Sequence, residues 1–280
     1  MSIITISRGS YSRGKEVAEK LAQQLNYECI YRGILLEASS LFHIPEIKLT
    51  RAIHDAPSIL DRFSNGKEQY VSYIRYALLQ YIQRDNVVYH GLAGHFFLQD
   101  IPHVLKVRII ADMEDRVKEE MKRENISAEE ARRILKKDDE ERRKWGLSLY
   151  GADTRDSRFY DIVLNIKNMS VDNAVDLILQ AVQLPCFQTT PESQKILDDM
   201  VLTSRLQEAL VHQFPDVEVA VKKDGVFVSV TGHLNQKAEI TRRIEDIIHK
   251  TAEVGDIEVH VNPQATVASL RSSLKMLHFD

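Results

Sequence analysis

The apolar positions of this chain alternate between two rhythms. Ile3, Ile4 and Ile6 lead a short β-branched run that stops at Ser7-Arg8, after which Val17, Ala18, Leu21, Ala22 and Leu25 recur on one helical face as far as Asn26. Cys29-Ile30-Tyr31 reads as a second short strand. From Lys67 to Gln83, Tyr70, Val71, Tyr73, Ile74, Ala77, Leu78 and Tyr81 return at helical spacing, which predicts a core helix with its tyrosines used for packing.

Three more strands follow. Asn86-Val87-Val88-Tyr89-His90-Gly91, Val104 to Ala111 and Asp161-Ile162-Val163-Leu164-Asn165-Ile166 are apolar runs, each with a helical pattern after it, the last running from Val171 to Val182. Strands alternating with helices predict a parallel sheet covered on both faces, with ligands taken at the carboxyl ends of the strands.

Pro185 and Pro191 bracket a polar stretch, Leu184 to Ser193, with the composition of a linker. A new pattern starts beyond it. Ile196 to His212 is helical, Val217 to Lys222 and Val226 to Thr231 alternate as strands around Asp224-Gly225, Ala238 to Lys250 is helical and Ile257 to Val261 is a last strand. This α-β-β-α-β order spans about 65 residues, near the lower limit for a domain that folds alone.

Between Asp112 and Lys144, 23 of 33 residues are charged, 12 acidic and 11 basic, so the segment is dense in charge yet nearly neutral. Glu119 with Arg123 and Glu129 with Arg133 stand four apart, a spacing that supports exposed helices. Two readings are open. The segment is a solvated helical hairpin, or it is a mobile lid whose arginines close over phosphates.

Composition narrows the class. The 280 residues are 44% hydrophobic and 28% charged with a formal charge of −4, values of an ordinary globular chain and not of a general binder of DNA or RNA. No run approaches the roughly 20 apolar residues of a membrane span. Cys29 and Cys186 lack metal-type spacing and read as free thiols of a reducing compartment, so a cytoplasmic location is expected.

The candidate chemistry lies between the first strand and the first helix. A loop there presents unpaired N–H groups and the positive end of the helix dipole to an anion. Arg8-Gly9-Ser10-Tyr11-Ser12-Arg13-Gly14-Lys15 contains the phosphate-loop spacing G-x-x-x-x-G-K, from Gly9 to Lys15. Glu16 then stands where a Ser or Thr hydroxyl normally meets magnesium. Arg8 and Arg13 add two more cations.

On these residues the first 185 positions resemble the cytidylate kinase-like family of P-loop nucleoside monophosphate kinases. Ile4-Thr5-Ile6-Ser7-Arg8 with Gly14-Lys15-Glu16-Val17-Ala18, Val87-Val88-Tyr89-His90-Gly91, Arg123-Glu124-Asn125, Asp139-Glu140-Glu141-Arg142 and Tyr160-Asp161-Ile162-Val163-Leu164-Asn165 carry the likeness, in the expected order. The resemblance implies a P-loop three-layer α/β fold with a helical lid. It also implies ATP as donor, Mg2+ as cofactor, a nucleoside monophosphate as acceptor, and Lys15, Arg142 and Arg143 as the catalytic cations. Asp139 is then either a lid residue or a helix partner of Arg142, and Asp161 fixes the last strand. Aligned on Val17-Ala18, the family's lysine falls at Gly14, one position before Lys15. Leu92 stands where similar proteins place an arginine for the acceptor phosphate, with His90 or His95 as partial substitutes. A weak or inactive kinase fold that binds nucleotide and signals is the second reading.

The region from Thr203 to Pro263 looks like a BON domain, on Ser204-Arg205-Leu206-Gln207-Glu208-Ala209-Leu210, Val228-Ser229-Val230-Thr231-Gly232-His233-Leu234 and Ile257-Glu258-Val259-His260-Val261. That resemblance implies a phospholipid-surface or protein partner and no catalysis. The expected divisions are a kinase-like domain over 1–185, a linker over 186–200, a small α+β domain over 201–263 and a tail over 264–280.

Overall fold

A computed structural model describes residues 2–9, 12–31, 40, 66–91, 94–222 and 225–263. The chain divides into two compact units, Met1–Asp198 and Asp199–Asp280.

The first unit is built on five parallel strands. In chain order these are β1 (Ile3–Arg8), β2 (Glu28–Ile30), β3 (Val87–His90), β4 (Val104–Ile110) and β5 (Ile162–Asn165), and across the sheet they run β2-β3-β1-β4-β5. β1 is central because its β-branched residues are buried on both faces, with Ile3, Ile4 and Ile6 wholly inaccessible. It pairs Ile6 with His90 on one side and Arg8 with Ile109 on the other.

Helix α1 (Gly14–Leu25) lays Val17, Ala18, Leu21 and Ala22 on the sheet face made by Ile4, Ile6, Val88, Leu105, Val107 and Ile109. The opposite face carries Thr5, Ser7, Tyr89 and Arg108. Beyond the sheet's second strand the chain contributes α2 (Gly66–Ile82), with Ala77, Leu78, Leu79 and Ile82 buried, and the single turn α3 (Gly94–Phe97). The connection leaving β1 leads to one side of the sheet and the one leaving β4 to the other. A crevice therefore opens beyond the carboxyl ends of β1 and β4, where such sheets take ligands.

The charged segment forms two helices, α4 (Met113–Glu124) and α5 (Ala128–Tyr150), the second capped by Ser127, which accepts from the Glu130 N–H at 3.2 Å. They are not merely solvated. Val117, Ala131 and Leu135 make a small buried core with Met113, Met121 and Ile126 against it. Arg123 pairs with Glu120 at 3.0 Å and Arg133 with Glu130 at 3.7 Å, each three apart, while Lys137 and Glu141 at 3.7 Å stand four apart.

Helix α6 (Val171–Val182) closes the first unit, opened by a reciprocal capping box between Ser170 and Asn173. The next helix, α7 (Pro191–Val211), starts five residues before the expected Ile196 and takes in much of the stretch read as linker. Its proline sits at the first helical position, where a missing N–H costs nothing, and the Thr190 hydroxyl accepts from the Ser193 N–H at 3.2 Å.

The second unit follows the expected α-β-β-α-β order. β6 (Glu218–Lys222) is antiparallel to β7 (Gly225–Gly232), and β8 (Ile257–Pro263) runs parallel to β7 on its other edge, with α8 (Lys237–Thr251) between. Val226, Val228, Val230, Ile244, Ile248 and Leu206 supply its core. Asp224 and the 264–280 tail lie outside the described residues. Among the described residues no helix is long and apolar enough to cross a membrane.

Candidate functional site

The loop between β1 and α1 is tied to the sheet through Ser12. This serine is wholly buried, and its hydroxyl faces the Gly9 carbonyl at 3.0 Å and the Ile109 carbonyl at 3.0 Å, one proton shared between two acceptors. The Gly9 N–H donates to the same Ile109 carbonyl at 3.3 Å, so the loop is stitched to the end of β4. Arg13 then turns the chain with φ of 59°, and α1 begins at Gly14 with no side-chain cap from Arg13 on its first N–H groups. Ser10 and Tyr11 lie outside the described residues.

Beyond this loop is a cleft of about 340 Å³, walled by Arg8 and Gly9 from β1, Arg108, Ile110 and Ala111 from β4, Arg116 from α4, Lys136, Asp139, Glu140 and Arg142 from α5, and Thr154-Arg155 after it. Six of these side chains are cationic and two are acidic. The acids are already engaged: Asp139 grips Arg116 through both nitrogens at 2.9 Å, and Glu140 holds Arg143 at 3.0 Å. Arg155 is paired with Asp153 at 2.7 Å.

Three arginines differ. Arg8, Arg108 and Arg142 have no carboxylate within ion-pair distance among the described residues. Arg142 donates to the Arg8 carbonyl at 3.2 Å, and Arg108 donates to the Thr154 carbonyl and to Tyr160 Oη at 3.2 Å. Tyr160 Oη also lies 2.8 Å from the Thr154 carbonyl and 3.1 Å from Ser7 Oγ, which fixes the floor. Burial, and the neighbouring charge of Arg142, hold Arg8 below the usual arginine range. A cleft with surplus, partly desolvated guanidinium groups at a helix N-terminus is built for a multiply charged anion.

The expected site residues separate on this geometry. Arg8, Gly9 and Arg142 line the cleft, Ser12 supports it from below and Gly14 opens the helix. Lys15 does not line it: its side chain is 60% exposed and pairs with Glu19 one turn along at 3.5 Å. Arg13 is bound to Glu16 through Nε and Nη2 at 2.9 and 3.0 Å, and Arg143 turns to Glu140 instead of to the cleft. Asp139 is the partner of Arg116, not of Arg142. Asp161 has the structural role expected, accepting from the Lys106 N–H at 2.7 Å with Lys106 Nζ at 3.6 Å, just before β5.

Neither histidine offers a replacement cation. His90 is buried and stacked on Tyr31 at 5.0 Å, and burial with Arg8 and Lys15 nearby lowers its pKa to about 4. His95 lies against Tyr160 at 4.9 Å, and burial beside Arg108 lowers it to about 3. Both rings are neutral at pH 7. Leu92 lies outside the described residues.

Sequence reasoning missed Arg108, Arg116 and Arg155. A signal existed for the first, since an arginine inside the apolar run Val-Leu-Lys-Val-Arg-Ile-Ile of a buried strand has to be turned toward a polar site. For the other two no local pattern points to the cleft.

The donor set suits phosphate better than metal. Glu16, where a magnesium-binding hydroxyl would stand, is held by Arg13 and Lys20, and among the described residues no three His, Cys, Asp or Glu gather as a metal site. A magnesium ion here would take its ligands from nucleotide phosphates and water.

The architecture agrees with the comparisons to known proteins. Residues 3–168, more than half of the chain, match the profile described as the Cytidylate kinase-like family. The chain belongs to that family. Cytidylate kinase of Thermococcus kodakarensis is 25% identical over 183 residues, covering 64% of this chain and 87% of that protein. Cytidylate kinase of Methanopyrus kandleri is 25% identical over 191 residues, covering 64% and 92%. Among solved structures, an uncharacterized protein from Eubacterium ventriosum superposes with a TM-score of 0.50 at 23% identity, over 65% of this chain and 98% of that one, a likeness of fold alone. In this cytidylate kinase-like chain the first unit thus carries the kinase-like part, and the match stops before the second unit begins.

Proposed function

We propose that the protein is a nucleoside monophosphate kinase that moves the terminal phosphoryl group of ATP to a cytidylate-like acceptor. The observation that carries this reading is the cleft beyond β1 and β4, where Arg8, Arg108 and Arg142 converge without carboxylate partners among the described residues. An acceptor phosphate oxygen forms the new P–O bond as the bond from the terminal phosphorus to the bridging oxygen breaks, and ADP leaves with that electron pair. Phosphoryl transfer of this kind asks for positioning and charge neutralisation more than for a base. The arginines supply the charge, and the loop N–H groups supply the cradle. The relatives named cytidylate kinase support CMP as the first acceptor to try.

The second unit reads as a BON-like module that docks the enzyme on a protein or phospholipid surface, a reading supported by its α-β-β-α-β order. The two cysteines are exposed free thiols, which suits the reducing cytoplasm.

Full-length protein given ATP, magnesium and CMP, UMP, AMP or GMP in turn is expected to release ADP fastest with CMP. Arg142→Ala is expected to lower kcat/KM roughly 100-fold, as removal of a transition-state charge contact does. ATP binding by calorimetry with no ADP from any monophosphate would replace the enzyme by the nucleotide-binding regulator.

A further inference from the structure

The end of β1, the residue before α1 and its first two turns carry four cations, and three of them are neutralised. Arg13 is bound to Glu16, Lys15 to Glu19 at 3.5 Å, and Lys20 to Asp172 at 2.7 Å and Glu16 at 3.8 Å. Arg8 is the exception, and its side chain takes an unusual course. A Cβ built on Gly14 would lie 2.7 Å from Arg8 Cβ, 3.2 Å from Cδ and 3.5 Å from Cγ. The stem of Arg8 therefore fills the space that any side chain on the first residue of α1 would need.

Its guanidinium comes to rest 5.4 Å over the Tyr31 ring, half-buried, with Arg142 anchored to its own carbonyl at 3.2 Å. The contrast with Gly9 is informative. A Cβ there would meet nothing closer than 3.9 Å, so of the two glycines in the loop pattern only Gly14 is demanded by a close approach.

We propose that Arg8, lying across Gly14, is the cation that grips the transferring phosphate tail in this loop, in place of a helix lysine, and that Gly14 is the gap that admits it. This rests on the kinase reading and names the residue on which its phosphate binding depends. A guanidinium offers a planar fork where a lysine offers a point charge, so the grip is directional and bidentate. It also explains how Lys15 is left on the exposed face of α1 with Glu19.

The test measures binding of ATP and of inorganic tripolyphosphate to the full chain by calorimetry, with unfolding midpoints as a control. Arg8→Ala is expected to raise Kd for both ligands tenfold or more, Arg8→Met to do the same while keeping the stem, and Lys15→Ala to change Kd less than twofold. Gly14→Ala is expected to weaken both ligands by displacing Arg8. Arg8→Ala with Gly14→Lys is expected to recover part of what Arg8→Ala alone loses. Tight binding in both Arg8 variants, or a loss that follows Lys15 instead, overturns the proposal while leaving the kinase reading intact. An Arg8-dependent ATP complex that yields no ADP with any monophosphate overturns the transfer reading alone, and a wild-type chain that binds neither ligand overturns both.

Discussion

Arg116 and Asp139 join the two charged helices beside the loop between β1 and α1, each nitrogen of the fork meeting one carboxylate oxygen at 2.9 Å. The guanidinium carbon lies 3.9 Å from where a Cβ on Gly9 would be, so the pair also forms one wall of the cleft. Arg116 is buried, and Asp139 meets it with both carboxylate oxygens.

Asp139→Ala takes this two-point carboxylate contact away from a buried guanidinium. We expect a loss of about 2 kcal/mol in unfolding free energy by urea titration, less than for a fully buried pair because Asp139 is itself about one-third exposed. Removing Arg116 as well should cost much less than the sum of the two single changes. Additive costs in that cycle would show that the contact contributes nothing.

Ser12→Ala removes the hydroxyl that meets the carbonyls of Gly9 and Ile109 inside the loop. About 1 to 2 kcal/mol of stability should be lost, since two buried acceptors give up a donor. The functional effect should be larger than the stability effect, because the unpinned loop no longer holds its N–H groups preorganised for phosphate. ATP affinity measured beside the unfolding midpoint separates the two; an unchanged Kd with a lowered midpoint would make Ser12 a structural residue only.

The sheet was legible because each of its strands is written locally. β1, β3 and β4 are runs of β-branched and aliphatic residues that a parallel strand buried on both faces requires, β5 is a shorter apolar run at the sheet's edge, and α6 falls on its expected bounds, Val171 to Val182. The site was legible only in position. The loop's place after β1 follows from sequence, yet Arg8 aside, the cations in its cleft come from β4, α4, α5 and the segment after α5, which meet only when the chain closes. Lys15 shows why spacing misleads here: the pattern fixes its distance from Gly9 along the chain, whereas its direction is set by helical phase and by Glu19 one turn on. The start of α7 was missed for a different reason, since a proline that reads as a linker also fits the first position of a helix.

Gly232 is a close-packed point of the second unit. A Cβ on it would fall 2.6 Å from Ile240 Cδ1 and 3.3 Å from Val261 Cγ1. Gly232→Ala should cost about 1 kcal/mol, because the Ile240 tip can rotate away, and Gly232→Val about 3 kcal/mol, because β8 itself has to yield. Amide exchange should quicken in α8 and β8 in both variants. Faster exchange in β1 or α1 instead would mean that the strain is carried elsewhere.

The neutral state of His95 makes the first unit sensitive to mild acid. In the folded chain, burial and the charge of Arg108 lower its pKa to about 3, whereas in the unfolded chain the ring takes up a proton near its ordinary value of 6.5. Between those two values the unfolded state binds the extra proton, so the stability present above about pH 6.5 is lost as pH falls, by about 1.4 kcal/mol for each unit from this ring. His90 acts in the same direction over a narrower window, its folded pKa being about 4. Urea titrations at about pH 7, 6 and 5 should show the decline before most carboxylates titrate, and His95→Phe should flatten it by removing one of the rings responsible. A slope in that variant equal to the wild-type slope would show that His95 is accessible to protons in the folded chain, and the acid sensitivity would then belong to other groups.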